Sequence, residues 1–259
     1  ARTSACIDFY QHANGGWLSR TSLPAGHGSW SRFDEINQRA LEQQKALLDG
    51  LLQGAAGEGD TALLAAFWAS AMDEQAIEAA GARPLAPLFA RIDQARRPRD
   101  LAGVVADLHA RGVPVLFNFG ADIDLRDFGR SIAYATQGGL GLPDPDYYRR
   151  DDADARALLG RYRPHVERVL ALSGVPEAER SARSGQILQI EMQLANAWLG
   201  LVELRNPYHA YKPQPLRDLE RRYPNLRLGD FVRAQGRRNL DTVSLAHERY
   251  FETLNRLLG

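Results

Sequence analysis

The spacing of apolar residues constrains the fold of this chain more than any other feature of its sequence. From Asp34 onward, aliphatic and aromatic residues recur mainly every three or four positions, which places them along one side of successive helices. The segment from Leu63 to Met72 shows this most clearly, with apolar side chains at positions 63, 64, 67, 68, 71 and 72. We therefore expect a helix there with a wide buried face.

The same spacing predicts helices along most of the remaining chain. Pro84 and Pro98 each fit the first turn of a helix, and Gly174 followed by Pro176 ends the helix before them. The proline-rich segment 205–215 is predicted to be a connection. The further predicted helices cover residues 41–52, 84–92, 98–108, 158–170, 187–201, 215–223, 228–234 and 245–259.

Two short segments depart from the helical spacing. VPVLFNF at 113–119 and SIAYAT at 131–136 are rich in β-prone residues, and a polar stretch containing Gly120 and Gly129 separates them. We predict that they form an antiparallel pair. The expected fold class is therefore mainly α, a multi-helix lobe with a small antiparallel β element at about residues 113–136.

Composition excludes several classes of protein. Thirty-two basic residues balance thirty-two acidic ones, so no net positive charge attracts nucleic acid. No apolar run approaches the roughly 18 residues of a membrane span, so none is expected. Cys6 is the only cysteine, which rules out an intramolecular disulfide and a cysteine-rich zinc site in this chain.

The histidines do not form the motif of a zinc peptidase. That motif, H-E-x-x-H, places two imidazoles one helical turn apart with a glutamate as general base between them. His247 and Glu248 begin the pattern, but Phe251 stands where the second histidine belongs. We expect no metal site and no catalytic residue in this chain, and we interpret His247 as an ordinary residue on the polar face of a helix.

Other clusters have simpler structural interpretations. Gly138–Gly141 leads into Pro143 rather than into a helix that could bind phosphate, so a turn is expected. The acidic clusters at positions 122, 124 and 127 and at positions 144 and 146 are interpreted as solvated loops, because they lack the layout of a calcium site. A hydrolase that uses Asp144 and Asp146 is a weaker alternative.

Several unusual strings occur in a characteristic order. DFYQHANGGWL at 8–18, SWSRFDE at 29–35 and QGGLGLPDPDYY at 137–148 are the most specific, and Glu191–Ala197 and Arg205–Tyr211 follow them. Together they span nearly the whole chain. In this order they resemble the amino-terminal helical portion of the neprilysin-like (M13) zinc metallopeptidases, which include the endothelin-converting enzymes and bacterial oligopeptidases.

The resemblance implies the organisation of a longer parent protein. In this family a helical lobe faces a thermolysin-like lobe across a cavity that admits peptides but not folded proteins. The zinc-binding helices lie downstream of every residue present here, so zinc is expected in the full-length parent. The expected partners are the missing carboxyl-terminal catalytic lobe and peptide substrates. We assign residues 1–33 to a segment that packs on that catalytic lobe, and residues 34–259 to the helical lobe, incomplete at its carboxyl-terminal end.

The resemblance also suggests where substrate is contacted. In neprilysin two arginines of the matching segment hold the terminal carboxylate of the substrate, and Ser29 and Asn37 stand at those positions here. Arg32 either replaces them or forms a surface ion pair. Phe33 and Asp34 either form a wall of the primed-side pocket or serve as a helix entry with Asp34 as a capping residue. The expected substrate-binding set is Ser29, Arg32, Phe33, Asp34 and Asn37.

The sequence thus predicts the non-catalytic lobe of a zinc-dependent endopeptidase or oligopeptidase, which forms the cavity wall that limits substrate size. The alternative is a stand-alone helical binding or interaction module without catalysis. Bacterial relatives occur both inside the cell and exported, and we expect a periplasmic or exported protein rather than a cytoplasmic one.

Overall fold

The structure is a computed structural model that describes residues 3–54 and 57–259. It divides into two compact units, Ala1–Gly81 and Ala82–Gly259. Helices dominate both units, and a small sheet lies in the second, so the predicted fold class is confirmed. The assignment of residues 1–33 to contact with another lobe stays a prediction.

Four helices lie in the described part of the first unit: α1 (Phe9–Leu18), α2 (Arg32–Gln53), α3 (Asp60–Met72) and α4 (Glu74–Ala80). Asp8 caps α1 by accepting a hydrogen bond from the amide of Gln11 at 2.8 Å. The indole of Trp68 on α3 donates to the carboxylate of Asp49 on α2 at 2.9 Å. Among the described residues of this unit only Gly15 and Ala65 are buried, so polar contacts, rather than an apolar core, fix these helix ends and this helix pair.

The predicted helix at 63–72 is present as α3, but its predicted buried face is wrong. Leu63, Phe67 and Met72 are all exposed, and only Ala65 of this helix is buried. The reason is that, in the described part of the first unit, α3 packs mainly against α2, which leaves its other apolar side chains uncovered. Helical spacing shows that a helix has an apolar face, but it does not show which part of the protein buries that face.

Nine helices belong to the described residues of the second unit. They are α5 (Ala86–Asp93), α6 (Pro98–Ala110), α7 (Asp146–Arg149), α8 (Ala153–Leu172), α9 (Glu177–Ala197), α10 (Leu201–Leu204), α11 (Leu216–Arg222), α12 (Leu228–Ala234) and α13 (Glu248–Leu257). The predicted continuation of α9 to Leu201 is wrong, because the helix ends at Ala197. The side chain of Arg149 donates to the carbonyls of Ala195 and Trp198, and so satisfies the helix end.

The sheet has four strands in the order β1-β2-β4-β3. They are β1 (Phe117–Asp124), β2 (Asp127–Gln137), β3 (Pro213–Pro215) and β4 (Thr242–Ser244). The predicted antiparallel pair is confirmed as β1 and β2, and β4 adds parallel to β2. The predicted bounds need correction, because the first strand begins at Phe117 and both strands run through the polar stretch. Residues 120–123 and 127–131 are exposed, so polar side chains are tolerated there.

The core of the second unit lies where α12, α13 and the sheet meet. Phe117 of β1 packs edge-on against Phe231 of α12 at 5.0 Å between ring centroids, and at 6.0 Å from Phe251 of α13. All three rings are buried. The segment predicted as a plain connection, 205–215, supplies β3 at the sheet edge, where prolines are tolerated because no further strand needs their missing amide.

Candidate functional site

The first candidate site is the amino-terminal end of α2. Ser31 is the cap residue, and its hydroxyl accepts from the amide of Asp34 at 3.3 Å while the Asp34 carboxylate accepts from the amide of Ser31 at 2.7 Å. This reciprocal pair is a capping box. The hydrogen bond from the Ser31 side chain holds the pKa of Asp34 below its usual value. Asp34 therefore has the structural role that the sequence offered as one of its two interpretations.

Arg32 is held in a small polar cluster. Its guanidinium pairs with Glu35 at 2.7 Å and lies 5.4 Å from the centre of the Trp17 ring, whose indole donates to the same Glu35 at 2.8 Å. The bond from Trp17, and then that from Arg32, lower the pKa of Glu35. Arg32 thus forms the surface ion pair that the sequence offered as an alternative to substrate binding.

The other three residues of the predicted set, Ser29, Phe33 and Asn37, carry no charge. Phe33 is 85% exposed on the first turn of α2, and Asn37 is exposed one turn later. Ser29 precedes the cap residue and is exposed as well. The five predicted residues therefore lie together around the start of α2, and Phe33 is the exposed apolar side chain among them. Substrate binding by these five residues stays a prediction.

A second conspicuous feature is the glycine-rich segment 138–148. Gly139 has φ +84°, and a Cβ there would lie 2.8 Å from Cα of Leu116. The hydroxyl of Tyr250 donates to the carbonyl of Gly138 at 2.6 Å. The predicted turn is confirmed, and its glycines are required by backbone conformation and close approach rather than by phosphate binding.

Glu191 of α9 organises this segment and was not singled out as a site from the sequence. Its carboxylate is buried and accepts three hydrogen bonds, each of 3.1 Å, from the amide of Gly141 and the hydroxyls of Tyr148 and Tyr162. Burial raises the pKa of Glu191 and also raises the pKa of Tyr162 to about 12. The signal in the sequence was an acidic residue three positions before Leu194, inside an otherwise apolar helical stripe.

His247 corrects an expectation. It lies immediately before α13 and is 4% exposed, so it is not a residue of a polar helix face. Its Nδ1 accepts from the amide of Gln137 at 3.0 Å, and its Nε2 has no hydrogen-bond partner among the described residues. Burial lowers the pKa of His247 to about 4. The imidazole is therefore neutral and links α13 to the end of β2.

These residues do not fit a catalytic zinc. Nδ1 of His247 is used by a backbone amide, and Phe251, one turn along α13, is buried in the core. Within residues 3–54 and 57–259, no three histidine, cysteine, aspartate or glutamate side chains come together as metal ligands. The structure thus offers zinc no ligand set in its described part.

The interpretation of the first acidic cluster as a solvated loop is wrong, because Asp122 and Asp124 lie in β1 and Asp127 begins β2. Asp144 lies in a loop, as expected. Asp122 accepts from the amide of Ile123 at 2.7 Å, and Asp127 accepts from the amide of Gly129 at 3.1 Å. Asp144 accepts from the amide of Asp146 at 2.9 Å. Carboxylates that bond to neighbouring amides are typical of loop caps.

The part of the chain that the structure describes contains no helix long and apolar enough to cross a membrane. The second-unit features described above are turns and buried links, and the start of α2 carries an exposed aromatic side chain, Phe33.

Comparisons with known proteins place these features in a family. Residues 5–259 match the model for the amino-terminal part of peptidase family M13. Human endothelin-converting enzyme-like 1 is 32% identical over 208 residues, which are 76% of this chain and 26% of that protein. The zinc metalloprotease Zmp1 of Mycobacterium tuberculosis, solved with an inhibitor, is 29% identical with a TM-score of 0.87 over 97% of this chain and 38% of its own.

A second similar structure supports the fold alone. PepO from Lactobacillus rhamnosis is 18% identical, with a TM-score of 0.80 over 99% of this chain and 41% of its own. The chain thus spans well under half the length of the relatives it matches. Because the family match covers all but its first four residues, the chain belongs to peptidase family M13.

Proposed function

We propose that this chain is the amino-terminal, non-catalytic lobe of a zinc-dependent endopeptidase, and that it forms a wall of the cavity in which peptides are cleaved. The observation that carries the proposal is the family match over residues 5–259, in a sequence that has no H-E-x-x-H motif. The zinc ion, the residues that bind it and the glutamate that acts as general base then belong to the part of the parent protein beyond the matched region.

The first unit supports the existence of a large partner. Phe9 of α1, Ile36 of α2 and Phe67 of α3 are all more than 60% exposed, and Gly15 and Ala65 are the buried residues of its described helices. Such a concentration of exposed apolar side chains marks a surface that another body covers. We propose that this body is the catalytic portion of the same parent protein, and that residues 1–33 pack on it.

The start of α2 is our proposed contribution to the substrate cavity. Phe33 is the exposed apolar residue of that turn, and Arg32 is already paired with Glu35. We therefore propose contact with an apolar side chain of the peptide rather than capture of its terminal carboxylate. An exported, periplasmic location is proposed as well, and cell fractionation of the natural host tests it.

Reconstitution from two pieces tests the proposed function. The chain 1–259 and the remainder of the parent are expressed separately and mixed, and hydrolysis of a fluorogenic peptide is measured with and without a zinc chelator. We expect chelator-sensitive activity from the mixture and little from the remainder alone. Phe67→Asp in the chain should weaken the reconstitution at least tenfold, because it puts a charge on the surface to be covered.

Leu172→Asp is the matched control. Leu172 is 76% exposed, close to the 69% of Phe67, but lies on α8 in the second unit. Equal effects of the two substitutions, or full activity of the remainder alone, would argue instead for a stand-alone helical binding module.

A further inference from the structure

A groove of about 480 Å³ lies beside the β1–β2 hairpin and is lined mainly by residues of β1. Gly120 pairs directly with Tyr134 in the hairpin register, so these two residues share a face, and both line the groove. The opposite face carries Phe117 and Ala135, which are buried in the core. The turn at Pro207–Ala210 contributes the facing wall.

Strand β1 is the edge of the sheet, and no strand of residues 3–54 or 57–259 pairs with its outer side. Alternate residues of an antiparallel edge strand direct their amide and carbonyl groups away from the sheet, where an added strand can pair with them. At the tip, the Ile123 amide donates to Asp122, and the Ile123 carbonyl accepts from Tyr134 at 2.7 Å. The edge open to a partner is therefore the part before Ile123.

The lining of the groove has a definite chemical character. Ile123 and Phe128 contribute exposed apolar surface, and Phe128 is 73% exposed. Asp122 is the one charged side chain among the described residues that line the groove. The complementary occupant is therefore apolar, extended and positively charged near Asp122.

We propose that this groove binds an extended apolar peptide segment that carries one lysine or arginine, and that the segment pairs with the free edge of β1. Main-chain hydrogen bonds to the edge strand provide affinity, and the apolar surface and Asp122 select the sequence. The proposal rests on the proposed function, in which peptides are the substrates. It adds a binding site in this chain that holds a peptide without cleaving it.

Binding of labelled peptides to the chain 1–259 tests the proposal. The probe is a fluorescein-labelled peptide of alternating valine and threonine with one central lysine, and a second peptide has glutamate in place of the lysine. Fluorescence anisotropy gives the dissociation constants. We expect the lysine peptide to bind more tightly than the glutamate peptide. Asp122→Asn should reduce the ratio of the two dissociation constants about threefold, because it removes the charge while the amide oxygen still accepts from Ile123.

Gly120→Leu provides the decisive variant. A Cβ at Gly120 meets no atom within 4 Å and its φ is not positive, so the substitution fills the groove without strain in the hairpin. We expect at least a tenfold loss of affinity, with the melting temperature kept. Gly160→Leu on α8 is the matched control, because a Cβ there also meets open space, and it should leave binding unchanged.

Several outcomes would overturn the proposal. They are absence of binding, equal binding of the two peptides, and equal affinity of the Gly120→Leu variant and the parent sequence. Self-association that Gly120→Leu abolishes would assign the groove to a second copy, and binding to this chain but not to the complete protein would assign it to the catalytic portion. Binding needs no hydrolysis, so a complete protein that binds the peptide without cleaving any substrate refutes the proposed function alone.

Discussion

Replacement of His247 by glutamine should remove a specific part of the acid sensitivity of this chain. His247 has its ordinary pKa of 6.5 in the unfolded chain and about 4 in the folded one. A group whose pKa is depressed by folding stabilises the protein above its unfolded pKa, and that stabilisation is lost as the pH falls towards the folded value. Since each pKa unit corresponds to about 1.4 kcal/mol, the loss amounts to about 3 kcal/mol between roughly pH 6.5 and pH 4.

Urea unfolding followed by circular dichroism at a series of pH values provides the assay. Other groups also titrate in this range, so the informative quantity is the difference between the parent chain and His247→Gln. The glutamine oxygen can still accept from the Gln137 amide, which keeps the link between β2 and α13 while removing the titration. Parallel curves for the two proteins, with no gap opening on acidification, would show that the buried imidazole is not responsible.

Substitutions at three further positions test the segments around the candidate sites, and a fourth position serves as a control. Glu191→Ala should cost about 2–4 kcal/mol in urea unfolding, because it strands buried donors, whereas Glu191→Gln should cost less; equal costs would refute the role of its three hydrogen bonds. The pKa of Glu191 is raised by folding, so the folded chain binds this proton more tightly than the unfolded chain and loses stability as the pH rises above the ordinary value of 4.5. The free energy of unfolding of Glu191→Gln should therefore increase relative to that of the parent chain above pH 4.5. Gly139→Ala should cost at least about 3 kcal/mol in the same assay, since it combines φ +84° with a contact to Leu116, while Gly174→Ala at the same φ in open space should cost about 1–2 kcal/mol. Ser31→Ala should cost about 1 kcal/mol and speed amide exchange in the first turn of α2, and an unchanged exchange rate would contradict its capping role.

Local patterns in the sequence predicted individual elements well. Helix α6 begins at Pro98, and α12 covers Leu228–Ala234 as the spacing predicts, because capping and periodicity are encoded within a few residues. The turn at Gly138–Gly141 was also predictable, since its glycines satisfy a local backbone requirement.

Long-range relations escaped prediction for a physical reason. The bond between Gln137 and His247 joins residues 110 positions apart, and nothing local to His247 indicates that it is buried. The exposure of Phe67 likewise depends on which surfaces are present to cover α3, and periodicity carries no such information. Glu191 left only a weak signal, an acidic residue in an apolar stripe.

The central claim is tested most directly by two measurements on the purified chain 1–259 and on the complete parent protein. They are the number of zinc ions bound per molecule and the hydrolysis of a peptide with and without a zinc chelator. We predict about one zinc per complete protein and hydrolysis that a chelator abolishes, with neither property in the chain alone. Stoichiometric zinc and chelator-sensitive hydrolysis in pure chain 1–259 would contradict the assignment of a non-catalytic lobe.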